Sequence, residues 1–279
     1  MSTKIVIFGA GHYGRAVLRK CKKSKKFKII CFFDSNKNKN KKVILGKKIY
    51  YIDKINQVIF DKIILCGRYI DEQTKQLKKY DIDKKKIIVW GKSKVLPSNN
   101  ELLQREAILM KILSFVIKKF EKHKIEYWLD FSGLLALMRK QHLAELSDVD
   151  ISIKLKDIKK IYKIIKNNKN IFSFNKEFIS KMRKNRKVSK TAMYIIAKSN
   201  KKIIEPPLID FVVKKITKKN VVNIRSNTFY PKKYWKSFEV INYKSLKLRV
   251  PNNPENYLKY VYGKSWNKKA EFWSGQFKQ

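Results

Sequence analysis

Near the N-terminus, apolar residues come in short runs separated by polar, amphipathic stretches. Lys4–Phe8, Lys28–Phe33, Lys62–Cys66 and Ile87–Trp90 predict strands, and Arg15–Lys23 and Glu72–Lys79 predict helices among them. Short β-rich runs alternating with helices predict a parallel sheet with right-handed crossovers. Around Pro97-Ser98-Asn99-Asn100 the pattern breaks and an N-cap is offered to a new helix. That helix is expected over Glu101–Lys122, where Leu102, Leu109, Leu113, Val116 and Phe120 form one stripe at helical spacing. Strands are then expected at Glu126–Leu129, Val149–Lys154, Met193–Ala197 and Leu208–Val213, and helices at Leu134–Lys140 and Asp157–Lys166. A hairpin over Phe238–Val250 and a helix over Pro254–Tyr262 close the chain. The expected division is residues 1–97, an α/β domain built on that parallel sheet, and residues 98–279, an α+β domain.

Composition adds a large charge. The 279 residues hold 67 Lys plus Arg against 22 Asp plus Glu, a formal net charge of +45. Such a balance suggests a polyanion partner. However, only nine of the 67 are Arg, the better reader of phosphate and bases. The surplus is also spread evenly: the first 100 residues carry 26 basic and 7 acidic side chains, the rest 41 and 15. The charge therefore reads first as a Lys-rich solvated surface, ahead of nucleic-acid binding. Clusters such as Lys118–Lys124 and Lys181–Lys190 read as solvated faces or loops, with attraction to anionic lipid or glycan as the alternative. A hydrophobic share of 44% excludes a disordered basic tail, and 9 Gly with 6 Pro exclude low-complexity architectures. No apolar run approaches the ~18 residues that span a bilayer. Lys4–Phe8 reads as a strand rather than the core of a leader. Cys21, Cys31 and Cys66 lack metal spacing and read as buried thiols in a reducing, cytoplasmic setting. His12, His123 and His142 are too scattered for a zinc site or a catalytic triad.

Gly9-Ala10-Gly11-His12-Tyr13-Gly14 is a G-x-G-x-x-G turn between a strand and a helix. Its glycines permit a tight turn, approach of backbone to a phosphate, and close helix–strand packing. Asp34 follows Gly14 by 20 residues, where a ribose-binding carboxylate belongs in such a fold. Gly9, Gly11, Gly14 and Asp34 are thus candidates to hold a nucleotide or nucleotide-sugar; packing alone is the other explanation of the glycines. The stretch resembles the small Rossmann-like modules of sugar-modifying enzymes, such as the N-terminal domain of sugar acetyltransferases that bind nucleotide-sugars.

A second constellation lies further along. Asp148-Val149-Asp150 on a strand puts two carboxylates on one face. Like charges so paired favour a cation between them, and Mg²⁺ or Mn²⁺ takes carboxylate oxygens together with substrate phosphates. Asp210 sits within another apolar strand, a costly place for an acid unless it is paired. Leu129-Asp130-Phe131-Ser132-Gly133 ends a strand and opens a helix, so Ser132 and Gly133 could meet a phosphate. The pattern resembles that of the nucleotidyltransferase fold, which implies cations held by three carboxylates that polarise a phosphoryl group.

The run Tyr127-Trp128-Leu129-Asp130-Phe131-Ser132-Gly133-Leu134-Leu135 up to Arg139 resembles the opening motif of the LicD/fukutin family. Asp148-Val149-Asp150-Ile151 is similar to that family's acidic motif, Ile209-Asp210-Phe211 to its later Asp strand, and Val250-Pro251, Tyr257-Leu258, Tyr262-Gly263 and Trp266 to its closing signature. The resemblance spans roughly residues 101–267. It implies transfer of a substituted phosphate, of the phosphocholine or polyol-phosphate kind, from a CDP-linked donor to a glycan or glycolipid hydroxyl during surface-glycan synthesis, lipopolysaccharide included. It also implies that Asp148, Asp150 and Asp210 hold the metal and that Ser132 and Gly133 contact donor phosphate; Arg139 is a candidate phosphate clamp, with a helix-surface cation as the alternative. The chain departs from the pattern at Ser132-Gly133 (usually Gly-Thr), at Ala144-Glu145-Leu146-Ser147 (usually Pro-Trp-Asp-Asp) and at Lys140 (usually His). Glu145 is the available substitute acid. Tyr257, Tyr262 and Trp266 read as packing of the last helix, with a sugar-stacking groove as the alternative. Three other functions compete: a nucleic-acid-binding nucleotidyltransferase, an inert sugar-nucleotide-binding scaffold and, last, a nicotinamide-dependent oxidoreductase.

Overall fold

A computed structural model of the chain describes residues 2–167, 172–183, 186–197 and 207–269, with 172–183 and 186–197 described by backbone alone. The side chains of the Lys181–Lys190 cluster thus lie outside the described residues, whereas Lys118, Lys122 and Lys124 are exposed. The chain forms two compact units, one over Met1–Pro97 and one over Ser98–Lys268.

The first unit runs β1 (Thr3–Phe8), α1 (His12–Lys22), β2 (Phe27–Asp34), β3 (Val43–Ile44), β4 (Lys47–Tyr51), β5 (Lys62–Cys66), α2 (Ile70–Lys78), β6 (Ile87–Trp90) and α3 (Lys92–Val95). Its sheet has the order β3-β4-β2-β1-β5-β6, parallel throughout except for the β3–β4 pair at the edge. Strand alternation explains why the sheet is covered on both faces. Ile5 and Ile7 pack with Val17 and Leu18 of α1, while Val6 and Phe8 pack on the other face with Phe33, Leu65 and Leu77. The Lys47–Tyr51 strand was not expected from the sequence. Only Ile49 of it is buried, so it carries little apolar pattern.

The second unit runs α4 (Asn99–Lys122), β7 (Tyr127–Leu129), α5 (Phe131–Met138), β8 (Asp148–Lys154), α6 (Ile158–Lys166), β9 (Phe172–Arg183), β10 (Arg186–Ala197), β11 (Leu208–Ile216), β12 (Asn220–Asn223), β13 (Thr228–Pro231), β14 (Phe238–Tyr243), β15 (Leu246–Pro251) and α7 (Pro254–Tyr262). Ser98 caps α4 in a capping box, its hydroxyl accepting from the Glu101 N–H while the Glu101 carboxylate accepts from the Ser98 N–H. The predicted stripe of α4 is buried from Leu109 to Phe120. In the mixed sheet, β8 pairs antiparallel with β7 and parallel with β11, and β11 pairs antiparallel with β10 and β12. The parallel register sets Asp210 beside Asp150. Helix α5 begins three residues earlier than the apolar pattern suggests, so Ser132 and Gly133 lie in its first turn. A Cβ on Gly133 would come within 2.7 Å of the Leu129 side chain and 3.2 Å of Val149, which ties this glycine to the packing of α5 on β7 and β8.

No helix among the described residues is long and apolar enough to cross a membrane.

Candidate active site

Asp148 and Asp150 leave β8 on one face, and the register of β11 brings Asp210 to the same place. One oxygen from each of the three carboxylates lies within 4.8 Å of the others, and Glu145 is not part of this group. Asp150 and Asp210 are buried, whereas Asp148 is partly open. Burial, then the neighbouring Asp148 and Asp210, raise the Asp150 carboxyl well above the ordinary carboxylate range, opposed by hydrogen bonds from Ser132. Burial also raises Asp210, to about 6, against the lowering effect of Arg225. Such a cluster is relieved by a cation bound between the carboxylates.

The sequence around the cluster holds it in place. Ser132 N–H donates to Asp150 Oδ2 at 3.0 Å, and its hydroxyl reaches both the same oxygen and the Asp148 carbonyl, the latter at 3.0 Å. Ser132 is therefore engaged in orienting Asp150. The Ser147 hydroxyl donates to Asp148 Oδ1. Ahead of β8, buried Arg105 of α4 donates to the carbonyls of Ala144 (2.7 Å) and Leu146 (2.6 Å), which pins the segment that leads into Asp148.

Beneath the cluster lies a network that sequence reasoning missed. Asp130, fully buried, accepts from the Phe131 N–H (2.8 Å), the Ser152 hydroxyl (2.5 Å) and the Tyr257 hydroxyl (2.5 Å). Its counter-ion is Lys214 Nζ at 3.3 Å, also buried, which lies 4.4, 4.2 and 5.2 Å from the ring centres of Phe131, Tyr230 and Trp235. Burial lowers the Lys214 ammonium, and the charges of Asp130 and Asp150 oppose that. A Lys at the end of an apolar strand looks solvated. The available signal was the period of two that puts Asp210, Val212 and Lys214 on one face.

Arg225 was also missed. It follows β12, and its Nη2 donates to both oxygens of Asp210, at 2.6 and 2.5 Å. Arg139, in contrast, spends its fork on backbone: Nε donates to the Trp266 carbonyl at 2.7 Å and Nη2 to the Lys268 carbonyl at 2.8 Å. Its guanidinium thus fastens the segment after α7. Tyr257 and Trp266 are buried and Tyr262 is half-buried, as packing of the last helix requires.

In the first unit, a cavity of about 530 Å³ opens where β1 and β5 end, the point at which the strand order reverses. Gly9, Gly11, Gly14 and Asp34 all line it, with Lys39, Gly67, Arg68, Tyr69 and Gln73. Both Asp34 oxygens are engaged: Oδ2 accepts from Ala10 N–H (2.8 Å) and Lys39 Nζ (2.9 Å), and Oδ1 from Asn36 N–H (2.9 Å). The glycines differ in what they do. A Cβ on Gly14 would lie 1.8 Å from the Gly9 carbonyl oxygen, whereas one on Gly11 would meet nothing within 4 Å. Gly14→Ala is accordingly expected to cost about 3 kcal/mol or more. Gly11→Ala, at the cap of α1, should lose no more than about 1 kcal/mol. Urea unfolding of the two variants checks this difference, and equal losses would refute it.

A nucleotidyltransferase-class domain is what this site and fold define, and comparison with known proteins agrees. Residues 124–253 match the family described as LicD/FKTN/FKRP, nucleotidyltransferase domain, and residues 1–88 match one described as C2185-like, N-terminal. The chain thus carries a LicD-family domain at residues 124–253. A comparison with curated proteins finds no match. Among solved structures, a lincosamide antibiotic adenylyltransferase with lincomycin bound is 15% identical, covering 58% of this chain and 85% of its own, at a TM-score of 0.34. UDP-D-quinovosamine 4-dehydrogenase from Vibrio fischeri is 20% identical over 37% of this chain and 85% of its own, at a TM-score of 0.28. A Rex-family repressor is 20% identical over 32% of this chain and 51% of its own, at a TM-score of 0.27.

Proposed function

We propose that the chain is a metal-dependent LicD-type transferase. It moves a substituted phosphate, of the phosphocholine or polyol-phosphate kind, from a CDP-linked donor to a hydroxyl of a glycan or glycolipid. The observation that carries this reading is the convergence of Asp148, Asp150 and Asp210 from two paired strands within a LicD-family domain. The donor set fits a hard divalent cation, because all the converging atoms are carboxylate oxygens and two of the three groups are buried. Bound there, Mg²⁺ or Mn²⁺ would supply charge neutralisation to the phosphoryl oxygens.

The protein's own residues do the rest. Asp148, Asp150 and Asp210 would hold the cation, and Ser132 fixes the direction of Asp150 through its N–H and hydroxyl. The acceptor hydroxyl oxygen forms a new bond to the transferred phosphorus, the bond from that phosphorus to the CMP oxygen breaks, and the hydroxyl proton passes to solvent. The Gly9–Gly14 turn with Asp34 forms a second site, for a nucleotide or nucleotide-sugar, at the N-terminus of α1. The reaction belongs in the cytoplasm, with peripheral contact at an anionic membrane supplied by surface lysines.

Thermal shift with CDP-choline, CDP-ribitol, CDP-glycerol, UDP-sugars and NAD, each with and without Mg²⁺, tests this. A CDP-ligand should raise Tm by several degrees only with metal and only while Asp148 is intact. A shift that survives Asp148→Asn equally would sink the assignment of the donor to this cluster. A UDP-sugar shift independent of Asp148 would instead report on the site in the first unit.

A further inference from the structure

We infer that Arg225 supplies the second positive charge of the carboxylate cluster, so that the site takes one divalent cation rather than two. The inference rests on the metal-dependent reading proposed above and concerns how that site is balanced.

Three observations carry it. The first is contact: one guanidinium nitrogen of Arg225 meets both oxygens of Asp210, at 2.6 and 2.5 Å. A carboxylate has further lone pairs, so Asp210 can still face a metal, but its charge is already matched.

The second is how firmly this arginine is placed. Strand β12 runs antiparallel to β11 and returns the chain toward Asp210, with Asn223 opposite Lys214. Just beyond, the Ile224 N–H donates to the Val213 carbonyl at 3.0 Å and the Arg225 N–H donates to Asn223 Oδ1 at 3.0 Å. The turn therefore aims Arg225 at Asp210. In a chain with nine Arg among 67 basic residues, the rare forked cation stands here, where compositional drift would have put Lys.

The third is charge balance. Asp130 is neutralised by its own ion pair with Lys214 and leaves the account. A bound cation displaces any proton from its carboxylate ligands, and three carboxylates with one guanidinium then carry two negative charges, which a single divalent cation cancels. A second ion would leave the buried site with two positive charges before any phosphate arrived, a costly state in a low dielectric. The side chain of Arg225 is 33% exposed against 4% for Asp210, so the guanidinium brings its charge to a buried acid while keeping part of its own hydration.

The test is Mn²⁺ titration of the full chain, followed by calorimetry and by electron paramagnetic resonance, without nucleotide. Ions that persist in an Asp148→Asn/Asp150→Asn double variant are subtracted as bound elsewhere. Wild type and Arg225→Lys should each bind one ion at the cluster, and Arg225→Met should bind two, the second more weakly. Two ions in the wild type would overturn the inference and leave the metal-dependent reading standing. So would a single ion in an Arg225→Met protein whose circular dichroism matches wild type. If Arg225→Met does not fold, the counts in wild type and Arg225→Lys still decide. No cluster ion in wild type would overturn the metal reading itself, and this inference with it.

Discussion

Asp150→Asn is expected to lower CMP release by about 10³-fold while raising the Tm of the metal-free protein. The two effects have one cause. Asp150 is buried beside Asp148 and Asp210, and its carboxyl is raised well above the ordinary range, first by burial and then by those neighbours. A raised acid holds its proton in the fold after the unfolded chain has lost it, so ionisation at neutral pH works against folding. The amide removes that charge and can still accept from the Ser132 N–H and hydroxyl. What is lost is the negative oxygen that a divalent cation needs. Melting curves in EDTA and in Mg²⁺, alongside CMP release, separate the two effects: Mg²⁺ should stabilise wild type and leave the variant unmoved. A folded Asp150→Asn protein with wild-type turnover would end the transferase reading of this cluster.

Breaking the buried pair below the cluster should have the largest effect on stability. Asp130→Asn leaves Lys214 with rings on several sides and without the carboxylate it pairs with, which costs about 3–5 kcal/mol. Lys214→Met leaves Asp130 buried with three hydrogen-bond donors but no cation, a loss of similar sign and smaller size. The double variant places a polarizable apolar chain among the rings and a neutral amide beside it, so it should lose clearly less than the two single changes combined. Denaturant unfolding of the four proteins measures the coupling. Additive losses would mean that the pair is not a unit.

This network shows what the sequence could and could not disclose. Asp148, Asp150 and Asp210 were legible because acids are rare in this chain and stand out inside aliphatic strands. The glycine turn was legible because strand, turn and helix follow one another within a dozen residues. Asp130 and Lys214 were not, although each directly follows an expected strand, Glu126–Leu129 and Leu208–Val213. An Asp before a helix reads as a cap, which it also is, and a Lys after Val212-Val213 reads as the return to solvent. Arg225 sits in a polar turn with no local pattern at all. Arg139 carries the opposite lesson, since its place in a motif gave no sign that its fork closes on the carbonyls of Trp266 and Lys268.

The sequence alone therefore determined the alternation of strands and helices in residues 1–97, the amphipathic stripe of α4, and which acids stand apart from a surface rich in Lys. These are local properties, set by side-chain period and by the cost of charge among apolar neighbours. The tertiary structure decided the partners: which carbonyls Arg105 and Arg139 hold, which acid Arg225 neutralises, and that Lys214 answers Asp130 from a strand about eighty residues away. A charge interacts through space at a few ångströms, and the chain brings distant residues that close only through sheet register and packing.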